Sequence, residues 1–287
     1  VAEDPWDVEM LGLNDVAKIW VKPIDMITLT MGHYFDDTLR GNTAFGSFDW
    51  IRAYGNSVGE DVTFMRIASS DQNKNYAVEQ GFLVTVQPMD ALFFAVNFAD
   101  AFGATEDLFN KIQIQFGYTI DGIGQIRAQY YAEELNGAAG ADADGTIEVA
   151  FKLTMVENLY ADFGFRMFTN DDGKNADSEK DVAAYAKYSM DAITIHAQTQ
   201  VKLFDEADTQ FTVGAGVDYD LGDGIGIQGD VHYFNDAFDK AGDTETAFTF
   251  FAGVKKGFSN GLVGVGLEVL SAGDTSWALP VRMEYWF

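Results

Sequence analysis

The chain ends on the stretch Trp277-Ala278-Leu279-Pro280-Val281-Arg282-Met283-Glu284-Tyr285-Trp286-Phe287. Every second residue of this stretch is apolar, and the positions between them carry Arg282 and Glu284. A period of two is the pattern of a β-strand with one apolar and one wet face. An apolar strand at the edge of a soluble sheet promotes aggregation. The stretch therefore predicts a strand whose apolar face meets something other than water.

The same alternation recurs along the chain, for example in the apolar series Ile112, Ile114, Phe116 and Tyr118. The basic residues of the predicted strands all fall in the polar phase; they are Lys111, Arg127, Lys152, Arg166, Lys187, Lys202, Lys255 and Arg282. A basic residue facing lipid at mid-membrane costs about 2–4 kcal/mol. This distribution favours a sheet whose apolar face meets hydrocarbon over a soluble β-sandwich.

The terminal alternation of Val281, Met283, Tyr285 and Phe287 resembles the insertion signal of outer-membrane β-barrel proteins, and the whole chain is similar to porins. The segment from Trp20 through Gly32 to Gly41 also resembles the first hairpin of spirochaete-type porins. The resemblance implies location in the outer membrane, contact with its lipid, and recognition of the C-terminal strand by the barrel-assembly machinery. It leaves a homotrimer open.

Composition agrees with this interpretation. The chain has 287 residues, no Cys and a net charge of −27, which argues against disulfides and against nucleic acid as a partner. It has no apolar run of eighteen residues, so a membrane helix is excluded. The start Val1-Ala2-Glu3-Asp4 is typical of a secreted precursor after removal of its signal peptide.

Seven turn-like tetrads set the strand count. They are residues 22–25, 87–90, 120–123, 155–158, 189–192, 221–224 and 258–261, each rich in Pro, Gly, Asp or Asn. Fourteen strands around these turns, the terminal strand and a strand near Trp6 to Leu13 give a closed, antiparallel, all-β transmembrane barrel of about sixteen strands, with fourteen as the alternative. The long segments 136–144, 169–180 and 235–244 are predicted to be extracellular loops. The single barrel spans 1–287.

The longest stretch without strand signals is Phe35 to Lys74, which combines charges with aromatic residues such as Phe45, Phe48, Trp50 and Phe64. Loops of this length are usually functional. We expect it to fold into the lumen and to narrow the pore with Asp36, Asp37, Arg40, Asp49, Arg52 and Arg66. The alternative is an ordered cap outside the barrel.

The polar phase predicts the lumen lining: Lys111, Arg127, Lys152, Asp162, Arg166, His196, Lys202, Asp218, Asp230, Arg282 and Glu284. Mixed signs suit passive diffusion of small polar solutes and ions, and the surplus acid predicts a weak cation preference. No enzyme activity, metal or cofactor is predicted, and the acidic loop Asn170 to Asp177 is expected to be solvated rather than a calcium site. The alternatives are a structural or adhesive surface barrel with a plugged lumen, and a barrel hydrolase using His196 or His232.

Overall fold

The computed structural model describes residues 17–36, 38–40, 65, 67–68, 81–98, 112–134, 144–168, 180–204, 208–237 and 245–286. These residues form β-strands joined by turns, and no helix among them could span a membrane. The strands are β1 (Ala17–Ile24), β2 (Ile27–His33), β3 (Phe35–Asp36), β4 (Ile67–Ala68), β5 (Gly81–Met89), β6 (Leu92–Phe98), β7 (Ile112–Ile120), β8 (Gly124–Glu134), β9 (Asp144–Leu153), β10 (Leu159–Phe168), β11 (Lys180–Met190), β12 (Ile193–Leu203), β13 (Gln210–Gly222), β14 (Ile225–Ala237), β15 (Glu245–Phe258), β16 (Gly261–Ala272), β17 (Asp274–Ala278) and β18 (Val281–Tyr285).

Sixteen of these strands form one antiparallel sheet in which neighbours in space are neighbours along the chain. The strands β3 and β4, which lie inside the stretch 35–74 that was expected to lack strands, pair with each other instead. In the large sheet, β2 therefore pairs with β5. Both β17 and β18 pair with β16, one after the other, because Pro280 lies between them and has no N–H to donate. The prediction of about sixteen strands in an all-β antiparallel sheet is confirmed.

The large sheet has two edges among the described residues, β1 on one side and β17 with β18 on the other. Since β17 and β18 share one position, these edge strands run in the same direction, and a strand antiparallel to both would fit between them. The sequence predicts such a strand near Trp6 to Leu13, which lies outside the described residues. It stays a prediction.

All seven predicted tetrads contain a short turn of the structure, and these turns lie at one end of the sheet, called here the short-turn end. Three of them use left-handed backbone at a residue other than glycine, namely Asn158 (φ 61°), Asp191 (φ 45°) and Asp223 (φ 51°), a conformation that Asn and Asp tolerate better than most residues.

The connections at the other end are longer, but the strands extend into each of the three predicted loops, since Asp144 begins β9 and Lys180 begins β11. Strand β14 continues through Asn235, which was predicted to begin a loop. The side chain of Asn235 accepts a hydrogen bond from Phe211 N (2.6 Å) and donates one to Thr209 O (2.8 Å). These bonds tie the chain there to its neighbour.

The two faces of the sheet differ sharply in polarity. We call the face with buried polar side chains the inner face and the face with exposed apolar side chains the outer face. Buried side chains of the inner face include Asn97, Gln113, Gln115, Arg127, Gln129, Glu148, Asp162, Asp181, His196, Lys202, Asp230, His232 and Glu268. The outer face exposes Phe163, Ile195, Val217 and Phe250, among many others. A soluble protein has the opposite arrangement.

Several phenylalanine side chains depart from this rule and are buried in the polar phase, among them Phe93, Phe234 and Phe251. Phe251 lies in the polar phase and is fully buried. A methyl group on Gly253 or on Gly266 would come within 2.7 Å and 2.5 Å of its ring. These two glycines, paired with each other in register, leave the space that the ring fills.

A prediction tests which solvent covers the outer face. Val217, at mid-strand in β13, is 45% exposed on the outer face. We expect Val217→Lys to lower the free energy of unfolding by about 2–4 kcal/mol, because a buried ammonium in hydrocarbon is unfavourable. Urea unfolding in liposomes measures this loss. Thr212→Lys, on the inner face of the same strand, is the matched control. Equal losses for both variants would contradict an outer face in lipid.

Candidate functional site

The inner face carries every predicted lumen residue that the structure describes. Arg127, Lys152, Asp162, Arg166, His196, Lys202, Asp218, Asp230, Arg282 and Glu284 all occupy strand positions opposite in phase to the exposed apolar residues. Lys111 lies outside the described residues. The register of the sheet brings most of these charges together in pairs of opposite sign.

Arg127 on β8 is the centre of the first cluster. Its guanidinium forms a buried ion pair with Asp162 on β10 and donates through Nη1 to Leu39 O at 2.9 Å. Tyr160 Oη donates to the other Asp162 oxygen at 3.1 Å. Gly117 and Ala150 flank Arg127 in register and Gly164 lies beyond, so the large side chain has room. A buried charge needs such a full set of partners.

Glu148 on β9 is the centre of the second cluster. Arg166 Nε donates to Glu148 Oε1 at 2.8 Å, and Arg166 Nη1 lies 3.6 Å from Asp181 Oδ2. The other oxygen, Glu148 Oε2, accepts a hydrogen bond from Met65 N at 2.8 Å. Gln115 Nε2 donates to Met65 O at 2.8 Å. Both backbone groups of Met65 are thus bound by inner-face side chains.

Three described residues of the segment between β2 and β5 are buried against the inner face. Leu39 lies over Gly117, where an added methyl group would come within 2.5 Å of Leu39 Cδ2. Tyr34 Oη donates to Asn97 Oδ1 at 2.5 Å. Burial raises the pKa of the Tyr34 phenol, with a smaller effect from the nearby Asp36 carboxylate, so the phenol remains a donor at neutral pH. Tyr34, Leu39 and Met65 thus pack against the wall formed by β6 to β10.

The predicted constriction residues are only partly described. Asp36 and Arg40 are half-buried, and Asp36 Oδ1 accepts a hydrogen bond from Thr38 N at 2.9 Å. Asp37, Asp49, Arg52 and Arg66 lie outside the described residues, as does the acidic loop 170–177. The constriction assigned to this set stays a prediction.

Two histidines lie on the inner face of β12 and β14. His196 Nδ1 lies 2.7 Å from Tyr185 Oη, and His196 Nε2 lies 2.5 Å from Asp218 Oδ2. His232 contacts Gln198 Nε2 (3.2 Å) through Nδ1 and Asp230 Oδ1 (3.2 Å) through Nε2. In the part of the chain that the structure describes, no three His, Asp or Glu side chains could together hold a metal ion.

The sequence analysis missed four residues of this site. Leu39 and Met65 carry no charge, so the pattern of charged residues did not identify them. Both are buried against the inner face. Asp181 was assigned to no face, because Lys180 was taken as the end of a loop. Glu268 lies on a glycine-rich strand whose polar phase is sparse. Gly117 was the available signal for Leu39, since a glycine opposite an arginine indicates that another chain segment approaches closely.

Comparison with known proteins identifies the fold. No protein-family model matches the chain, and no curated protein matches its sequence. Among solved structures, the chain is similar to Acinetobacter baumannii OccAB4, with a TM-score of 0.56, 9% identity, and coverage of 91% of this chain and 72% of that one. It is similar to Pseudomonas aeruginosa OpdK, solved with vanillate, with a TM-score of 0.55, 11% identity, and coverage of 91% and 74%.

A BenF-like porin from Pseudomonas fluorescens Pf-5 matches with a TM-score of 0.54, 10% identity, and coverage of 91% and 74%. The fold is therefore that of outer-membrane β-barrel porins, as predicted. The more specific likeness to spirochaete-type porins stays a prediction.

A prediction tests the Arg127 cluster. We expect Arg127→Gln to lower the free energy of unfolding by about 3–5 kcal/mol, because it leaves the Asp162 carboxylate buried without its counter-charge. The measurement is urea unfolding of the refolded protein. The control is Arg282→Gln, whose partner Glu284 is only partly buried and for which we expect about 1 kcal/mol or less. If Asp162→Asn restores no stability to Arg127→Gln, the pair is not coupled as described.

Proposed function

We propose that the protein is an outer-membrane porin, a water-filled channel through which small polar solutes and ions diffuse passively. The observation that carries this proposal is the inverted sheet on a porin fold, apolar outside and charged inside. Hydrocarbon accepts the outer face, and only water or polar solutes suit the inner one. Transport of this kind needs no covalent chemistry and no cofactor.

The pore is narrowed by the segment between β2 and β5. Three contacts support this part of the proposal: Arg127 holds Leu39 O, Glu148 holds Met65 N, and Gln115 holds Met65 O. A segment bound to an inner wall occupies cross-section that solutes would otherwise use. The charges predicted for the constriction, Asp36 and Arg40 among them, belong to this segment.

Shortening this segment tests the constriction. We expect deletion of Gly46 to Ala53 to raise single-channel conductance in a planar bilayer severalfold, because the narrowest part of a pore sets its resistance. The control is deletion of Asp171 to Ser178, which removes the same number of residues from a different connection. A conductance that the first deletion leaves unchanged would contradict the proposed constriction.

The proposed channel prefers cations weakly. Six of the seven short turns carry an exposed carboxylate, and these are Asp25, Asp90, Asp121, Glu157, Asp191 and Asp223. Asp also favours turns for backbone reasons, so part of this enrichment is structural. Whatever its origin, carboxylates around one rim of the sheet attract cations within about 8 Å at physiological salt.

The cation preference is measured as a reversal potential in a salt gradient. We expect the sign of a cation-preferring channel, and we expect the six-fold Asp→Asn and Glu→Gln variant of the short-turn rim to move the potential toward zero. The shift should vanish in about 1 M salt, where screening acts within about 3 Å. A reversal potential of anion sign in the unmodified protein would refute the preference.

A second candidate function is that of a structural surface barrel with a plugged lumen. It is favoured by the dryness of the inner face, where Arg127, Gln115 and Glu268 are almost fully buried. An open pore would wet such side chains. Planar-bilayer recordings decide between the two functions, because a plugged barrel inserts without conducting.

The proposed partners follow from the outer face and the C-terminal strand. Val281, Met283 and Tyr285 are strongly exposed on β18, in the alternation that resembles the insertion signal of outer-membrane barrels. We therefore retain the barrel-assembly machinery as the partner of this strand, alongside membrane lipid. A homotrimer remains a prediction that cross-linking in native membranes would test.

A further inference from the structure

An aromatic side chain with two lysines lies on the inner face near the short-turn end. Tyr160 is the second residue of β10, and Lys152 and Lys187 lie near the ends of the neighbouring strands β9 and β11. Lys152 Nζ is 5.3 Å and Lys187 Nζ is 5.9 Å from the centre of the Tyr160 ring. Two ammonium groups therefore share one aromatic ring.

The charge balance around this ring is unusual for the protein. Asp162 is one nearby carboxylate on the wall, and it is already bound by Arg127 and by Tyr160 Oη. Among the described residues, no carboxylate lies within ion-pair distance of either lysine. The wall here has three cationic side chains, Arg127, Lys152 and Lys187, in a chain whose net charge is −27. Its two carboxylates are Asp162, which faces Lys152 in register, and Asp218, which is bound to His196 beside Lys187. Two like charges near one ring repel each other, and a bound anion would lower that repulsion.

The position of the two lysines makes them accessible to a solute. Lys152, Lys187 and Tyr160 are half-buried, in contrast to the buried Arg127 and Asp162 farther along the strands. They lie one to three residues inside the strand ends at the short turns 155–158 and 191–192. Leu39 and Met65 contact the wall deeper in the sheet, so a solute arriving from the short-turn end reaches the lysines first.

We propose that Lys152, Tyr160 and Lys187 form a binding subsite for the carboxylate or phosphate group of a small anionic solute. The inference rests on the proposed channel, since it gives the inner face a solute to bind. The ammonium groups donate to the anion, and the ring of Tyr160, packed at 6.0 Å on Tyr185, fixes their positions. The subsite adds a local anion affinity just inside a rim of carboxylates.

The alternative is a purely structural role, in which the two lysines stabilise the pairing of β9, β10 and β11 through their contacts with the Tyr160 ring. Such cation–π contacts contribute about 0.5–1 kcal/mol at exposed sites and require no ligand. The two interpretations differ in what a double substitution does. If the role is structural, the double substitution changes stability alone. If the lysines form a subsite, it changes the affinity for an anion.

Titration calorimetry of the whole protein in detergent micelles tests the subsite, with inorganic phosphate and acetate as probes. We expect saturable phosphate binding that weakens about tenfold for Lys152→Gln or Lys187→Gln, since a hydrogen bond to a charged group contributes about 1.5 kcal/mol or more. The arginine variants of both lysines should retain binding. Lys256→Gln is the matched control, because Lys256 lies at the same end but bonds to Asp223 O.

The outcomes separate the subsite from the channel. If the unmodified protein binds neither probe, or if the double glutamine variant binds as well as the Lys256→Gln control, the subsite is wrong. Conductance with unchanged anion binding in the double variant overturns the subsite and leaves the channel intact. Anion binding that depends on the lysines in a protein that does not conduct supports the subsite and overturns the channel. Reversible melting in micelles, measured for each variant, confirms that all of them fold.

Discussion

The structure depends on one constraint, that a sheet in hydrocarbon must satisfy its backbone hydrogen bonds within itself. The continuous antiparallel pairing from β5 to β16 does so, because each strand there has a bonded neighbour on both sides. The positions of the prolines agree with this constraint. Pro23 and Pro88 lie where the register shifts, and Pro280 lies between β17 and β18. None of these three removes a donor from the middle of a ladder.

The constraint on the backbone also governs the side chains. Because alternate side chains leave the sheet on opposite faces, an outer face in lipid forces nearly all polar groups of the strands onto the inner face. Charges concentrated there repel one another unless opposite signs meet in register. The pairs Asp162 with Lys152 and Glu148 with Arg166 show this alternation across neighbouring strands. Glu148 and the Asp162 partner Arg127 also bind backbone atoms of Met65 and Leu39.

Much of this could be predicted from the sequence, and the reasons are local. A period of two determines which phase is polar, and Asp, Asn, Gly and Pro mark the turns, so the basic residues predicted for the polar phase lie there where the structure describes them, and a short turn meets each predicted tetrad. The partner of each charge could not be predicted, because register across strands depends on bulges such as the shift between Ala132 and Glu134. Leu39 and Phe251 were missed for a related reason. Each of them fills space that a glycine leaves on another strand, Gly117 for Leu39 and Gly266 for Phe251.

The burial of the inner-face side chains varies along the strands, and this variation bears on how the wall would interact with a solute. Side chains at mid-strand, such as Arg127 and Gln115, are dry and bound to other protein groups. Those near the short-turn end, such as Lys152 and Asp218, are partly exposed. A charge whose partners are all within the protein has little attraction left for a passing solute, whereas a half-exposed one retains it. Attraction for a charged solute is therefore greater near the short-turn end of the wall than at mid-strand, where the side chains are bound to one another and to Leu39 and Met65.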